Sequence, residues 1–162
     1  MATLHLICGF PCAGKTTFAK QLEQTHSALR LTPDEWHTDL FGQDEADPEH
    51  ETRHDKIEAL LWRIAARALT LDTNVILDFG FWGRGRGERE DYRSRAAKLG
   101  ARSELHVLDV PKDVLLARLA ARNAQRPPDT FFIPTANLEE WIELFELPAQ
   151  EELEPREVSV QP

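Results

Sequence analysis

The segment Gly9 to Thr17, GFPCAGKTT, constrains this chain more than any other. Its spacing, Gly9-x4-Gly14-Lys15-Thr16, is that of a Walker A loop. The glycines let backbone N–H groups turn toward phosphate oxygens. The helix that must follow adds the partial positive charge of its N-terminus. Gly9, Cys12, Ala13, Gly14, Lys15, Thr16 and Thr17 then form a cradle for a nucleoside triphosphate, ATP or another. Lys15 bridges the β- and γ-phosphates in this reading, and the Thr16 hydroxyl holds Mg²⁺. Cys12 is either a low-pKa thiol beside a helix N-terminus or a small filler whose backbone does the binding; the filler is the expectation.

Such a loop works only between a strand and a helix, and both flanks are legible. TLHLICGF is a short apolar run ending in glycine, and predicts a buried strand. Thr16 to Gln24 predicts a helix, with Phe18 and Leu22 four residues apart. Further along, ALRLT, NVILD and SELHVLDV predict three more strands, and REVSV a fifth. Helices are expected over PDEWHTDLF, His50–Leu71, Glu88–Leu99, Pro111–Asn123 and TANLEEWIELFEL. The long one carries Ile57, Leu60, Leu61, Ile64, Ala68 and Leu71 at helical spacing. GFWGRGRG, residues 80–87, is expected to be a glycine-rich loop. Strands alternating with helices predict an α/β fold with a parallel sheet of about five strands and helices on both faces. The 162 residues suit one domain, 1–162.

Charge narrows the partners. The chain carries −9, but eight acidic residues against Arg156 from Glu139 onward account for −7 of it. Residues 1–138 are therefore nearly balanced. This argues against broad nucleic-acid binding and leaves room for a local basic cleft. The acidic segment, about 148–162, reads equally as ordered or frayed. No apolar run reaches the length of a membrane span. The N-terminus lacks the features of a signal peptide. With only Cys8 and Cys12, too close to frame a disulfide scaffold, the expected setting is cytoplasmic.

Three further features carry chemistry. Asp78 ends the apolar run VILD, as a Walker B acid does; it is expected to hold Mg²⁺ directly or through water, or else to cap the next turn. Asp34 follows the second strand. If that strand flanks the first, Asp34 lies across the cleft and can accept a proton from an attacking hydroxyl. Its other reading is the N-cap of a helix starting at Glu35. Arg118, Arg122 and Arg126 recur every four residues, which suits a lid over a triphosphate or a solvated basic stripe.

Together, GFPCAGKTT, Asp34, VILD and RNAQR resemble the P-loop kinases, specifically the zeta-toxin, chloramphenicol-phosphotransferase and polynucleotide-kinase group. The resemblance covers about residues 3–134. It implies a three-layer sandwich with a helical lid at about 118–134, a kinase activity, and ATP with Mg²⁺. Lys15, Thr16, Asp34, Arg122 and Arg126 inherit the family's roles by position, Asp34 as base. The acceptor implied is a small hydroxyl compound, with a polynucleotide 5′-hydroxyl as the alternative. A nucleotide-binding switch without an acceptor is the third reading. One departure bears on the acceptor: polynucleotide kinases have D-x-x-R after the second strand, whereas DEWH here puts His37 at the arginine's place. Arg84 and Arg86 of the glycine-rich loop offer a replacement. Phe81 and Trp82 beside them either stack on a substrate ring or belong to the core.

HETRH, residues 50–54, matches the spacing of a zinc-protease helix. Its polar flanks instead predict a solvated helix start.

Overall fold

Alternation along β1 (Thr3–Cys8) decides what each face of the sheet carries. Leu4, Leu6 and Cys8 point one way; His5 and Ile7 point the other. The computed structural model describes residues 1–44, 46–83 and 85–158. After β1 come α1 (Lys15–His26), β2 (Leu29–Leu31), α2 (Pro33–Phe41), α3 (His50–Thr70) and β3 (Val75–Gly80). Then follow α4 (Gly85–Lys98), β4 (Arg102–Val107), α5 (Lys112–Gln125), α6 (Thr135–Leu144) and α7 (Gln150–Leu153). The four strands pair in parallel in the order β2-β3-β1-β4.

On one face, Leu4, Leu6, Val75, Leu77 and Leu105 pack against Ile57, Leu61, Ala65 and Leu69 of α3 and Tyr92 and Ala96 of α4. On the other, Ile7 and Ile76 meet Ala19 and Leu22 of α1. Leu115 and Leu119 of α5 pack with Leu138 of α6 and Ala13 of the Walker loop. The result is the expected three-layer α/β fold. No helix is long and apolar enough to cross a membrane among the described residues.

Several expectations are corrected. The buried stripe of α3 runs 57-61-65-69; Leu60 and Leu71 are exposed. Helix α4 starts inside the glycine-rich segment, at Gly85. Among the described residues there are four strands, because only Arg156 of REVSV pairs, as a lone antiparallel bridge to Ser103. Ser159 and Val160 lie outside the described residues. Most consequentially, β2 does not flank β1: β3 lies between them.

The acidic C-terminal segment is docked as far as Glu157, which pairs with Arg102 at 2.8 Å, and two buried arginines hold its middle. Arg89 grips the Glu152 carboxylate with Nε at 2.8 Å and a terminal nitrogen at 3.2 Å. Arg93 donates to the carbonyls of Glu152 and Glu154 at 2.6 and 2.7 Å.

The register β1–β4 sets His5 beside Glu104 on the α1 face. His5 Nδ1 lies 3.0 Å from His106 Nε2 and 3.6 Å from Glu104, with the His26 ring edge-on at 5.1 Å. Burial, with His106, His26 and Arg102 adding to it, pushes the His5 pKa down to about 3. An unfolded histidine takes its proton near 6.5, so this stability is complete above that pH and is lost as pH falls from 6.5 toward 3. Between pH 7.5 and 5 the expected loss is about 2 kcal/mol, and His5→Leu removes that slope. Urea unfolding of both proteins across this range checks it; equal slopes would refute the assignment.

Candidate active site

The Walker loop is shaped by its own backbone. Cys12 and Gly14 take left-handed φ values of 67° and 92°. The Ala13 N–H donates to the Phe10 carbonyl, and the Phe18 N–H to that of Gly14, opening α1. A Cβ on Gly9 would meet the Leu108 carbonyl at 3.1 Å, which explains glycine there. Lys15 Nζ donates to the Phe10 carbonyl at 2.7 Å; burial lowers its pKa, against the pull of Asp78 and Asp34. Burial raises the Cys12 pKa, against the pull of Arg122, Lys15 and Arg118.

Strand alternation turns Asp78 to the α1 face, over the start of α1. Its Oδ2 accepts from the Thr16 hydroxyl at 2.8 Å and from the Thr32 hydroxyl at 3.1 Å. Thr32 reaches it because β2 pairs with β3, so the overturned strand order is what completes this cluster. Asp78 is buried, and burial raises its pKa, while Lys15, Thr16 and Thr32 favour its charged form. The Thr16 and Asp78 oxygens are hard donors, and they fit the Mg²⁺ that a Walker loop implies. The Thr16 proton goes to Asp78, which leaves the hydroxyl lone pairs for an ion.

Two cavities meet at the loop. One, of about 540 Å³, is lined by Cys12, Gly14, Thr17, Phe18, Gln21 and Arg118. The other, of about 870 Å³, runs from Lys15 and Thr16 past Asp34 to His50, His54 and Trp82. Arg122 lines both. Arg118 donates to the Cys12 carbonyl at 3.2 Å. Arg126 does not join them: it takes a left-handed φ of 46° as it ends α5, and its guanidinium lies over Phe132. The reversal at Arg126 is what carries the chain back across the larger cavity. Asn123 fixes the returning segment through both side-chain atoms to Ile133. Gln43 ties it to the loop after α2, donating to the Pro127 and Thr130 carbonyls, each at 2.9 Å.

Asp34 is the second residue of α2 and is exposed to the larger cavity. The N-cap is Thr32, with Pro33 in the first turn, so Asp34 is not the cap. His37 is buried behind the wall, at 2% exposure, with its Nδ1 3.4 Å from His54 Nδ1 and its ring stacked on His50 at 4.4 Å. The HETRH histidines are thus half-buried against His37 and Phe131, not a solvated helix start; the packing of α2 on α3 brings them together. Burial, then His50 and His54, lowers the His37 pKa. For His54 burial is outweighed by Glu58 and Asp34, and its pKa rises. Trp82 lines the cavity and packs on Trp141 at 4.5 Å. Phe81 is core, against Phe79 and Tyr92. Arg86 points away, to Glu151 at 3.0 Å. Arg84 lies outside the described residues. Thr32, Gln43, Asn123 and the His50–His54 pair were not singled out as site residues from sequence. Only the i, i+4 histidines carried a local signal; the others depend on long-range pairing.

A comparison with curated proteins finds no sequence match. Among solved structures, the chain is similar to a protein of the Pnkp1/Rnl/Hen1 RNA repair complex, at 22% identity and a TM-score of 0.72. That match covers 99% of this chain but 50% of the other, so this chain spans half of its length. Kti12 from Chaetomium thermophilum, solved with ADP-AlF3, matches at 19% identity and a TM-score of 0.68 over 91% of this chain and 82% of that one. A gluconokinase from Sinorhizobium meliloti 1021 matches at 18% identity and 0.64, over 99% and 84%. These likenesses establish a shared P-loop kinase-type fold. The AAA domain family model matches residues 4–148, and with the Walker loop it covers, the chain belongs to that family.

Proposed function

We propose that this protein is an ATP- and Mg²⁺-dependent kinase that transfers the γ-phosphoryl group to a hydroxyl of a small molecule. The observation that carries this reading is the continuity of the larger cavity with the Walker loop, with Asp34 among its lining residues and Arg122 lining both cavities. The loop amides and Lys15 bind the phosphates. Thr16, oriented by Asp78, would hold Mg²⁺, which neutralises charge on the β- and γ-oxygens when bound. Asp34 accepts the proton of the acceptor hydroxyl as its oxygen bonds to the γ-phosphorus. The bond from that phosphorus to the bridging oxygen breaks, and the nucleoside diphosphate leaves. Arg122 stabilises charge on the equatorial oxygens. Arg118 and the smaller cavity suit the rest of the nucleotide. A closed lid would have to bring Arg126 in from Phe132 for it to act as well.

The likeness to a component of an RNA repair complex supports a second reading, a polynucleotide 5′-hydroxyl kinase. The wall speaks for the small molecule. Among the described lining residues, Lys15, Lys20 and Arg122 belong to the loop, α1 and α5, whereas α2 and α3 contribute Asp34, Glu51 and Glu58 beside His50 and His54, and no lysine or arginine. A phosphodiester chain needs cations there.

Acceptor-dependent ADP release, measured over a panel of sugars, amino sugars, nucleosides and a 5′-hydroxyl oligonucleotide at low salt, tests the proposal. A small hydroxyl compound is expected to raise the rate, and Lys15→Ala to abolish it. Labelling of the oligonucleotide alone would favour the second reading. Hydrolysis indifferent to every acceptor would point to a nucleotide-binding switch.

A further inference from the structure

Two histidine clusters lie outside the Walker loop, and they differ in what they can do. His5, His106 and Glu104 are packed beneath α1, and Glu104 is already engaged by Arg102 at 3.0 Å. His37, His50 and His54 instead gather at the wall of the larger cavity, where His50 and His54 are lining residues. Their candidate ligand atoms all lie within 4.8 Å of one another.

We infer that His37, His50 and His54 form a binding site for one divalent transition-metal ion of the Zn²⁺ class, with its open position toward the cavity. In a tetrahedral site with bonds of about 2.0–2.1 Å, neighbouring nitrogens stand about 3.3–3.4 Å apart. His37 Nδ1 and His54 Nδ1 are already 3.4 Å apart. His50 must close by no more than about 1.4 Å, and its ring already stacks on that of His37 at 4.4 Å. His54 Nε2 faces Glu58 Oε1 at 3.5 Å, one turn along the helix. A carboxylate on the far nitrogen selects the tautomer whose Nδ1 lone pair is free to ligate. Phe41 and Phe131 pack edge-on against the His37 ring and hold its orientation.

The donor set names the ion class. Three neutral imidazoles suit Zn²⁺, Co²⁺ or Ni²⁺ and not Mg²⁺, which prefers oxygen. Three protein ligands and one open position are the pattern of reactive rather than structural zinc. This differs from the zinc-protease arrangement, since the third ligand comes from α2 rather than from the HETRH helix. Such an ion would favour acceptors that carry a ligating oxygen. The site does not depend on the kinase reading, and its test uses no phosphotransfer.

The test is titration of the full chain, without a histidine tag and stripped by chelator, with Zn²⁺ and Co²⁺ in excess Mg²⁺. One saturable equivalent is expected, with the intense visible absorption of low-coordinate Co²⁺. His54→Gln and His50→Ala should each weaken binding by at least about 10–100-fold, the usual cost of losing even an outer-shell partner, while His106→Ala leaves it unchanged. His37→Ala removes a buried ring and risks misfolding, so the α3 variants carry the decision. Binding that survives the His50→Ala/His54→Gln pair, disappears with His106→Ala, or never saturates would overturn the assignment and leave a proton-sharing histidine cluster.

Discussion

Asp34→Asn is expected to leave nucleotide binding intact and to cut acceptor phosphorylation by about 10²–10⁴-fold, the usual contribution of a positioned general base. Asparagine keeps the size and polarity of the side chain but cannot take up the hydroxyl proton. The loss should therefore fall on turnover and not on affinity for either substrate. Stability should move by less than about 0.5 kcal/mol, because Asp34 is exposed to the cavity and does not cap α2. Turnover and nucleotide affinity, measured separately, distinguish the outcomes. Undiminished transfer would remove Asp34 as the base and leave the nucleotide assignment standing, since that rests on Gly9–Thr17.

Arg89→Ala is expected to cost about 3–5 kcal/mol, far more than a surface ion pair would. Arg89 is fully buried, and its fork holds both Glu152 oxygens. Removing it leaves a buried carboxylate with only the Ala149 N–H and Arg86 at 4.0 Å. The cost lies in that stranded charge more than in the lost attraction. Arg89→Met combined with Glu152→Leu should therefore recover most of the stability. Chemical unfolding of the three variants forms the cycle. A single Arg89→Ala loss below about 1 kcal/mol would show that the C-terminal segment undocks without burdening the core.

What could be read in advance followed local rules. The Walker loop, its flanking strand and helix, the strand-end acid Asp78 and the helix over residues 50–70 are all set by neighbours within a few positions. Backbone hydrogen bonding and side-chain periodicity act over that range, so residue order carries them. Asp34 was legible as a position after a strand. Its surroundings were not, because the expected neighbour of β2 was β1. The spacing of Arg122 and Arg126 did not by itself place their side chains together. Four-residue spacing holds only while the helix lasts, and a left-handed turn ends α5 at Arg126.

The sequence by itself determined that a phosphate cradle would sit between a buried strand and a helix in a parallel α/β sheet. Only the tertiary structure decided that β3 separates β1 from β2 and so delivers Thr32 to Asp78, 46 residues away. It alone brought His37 to His50 and His54, and Glu152 to Arg89. Crossover connections and helix packing make these contacts. They depend on which buried faces fit together across the whole chain, and no short stretch of residues encodes that fit.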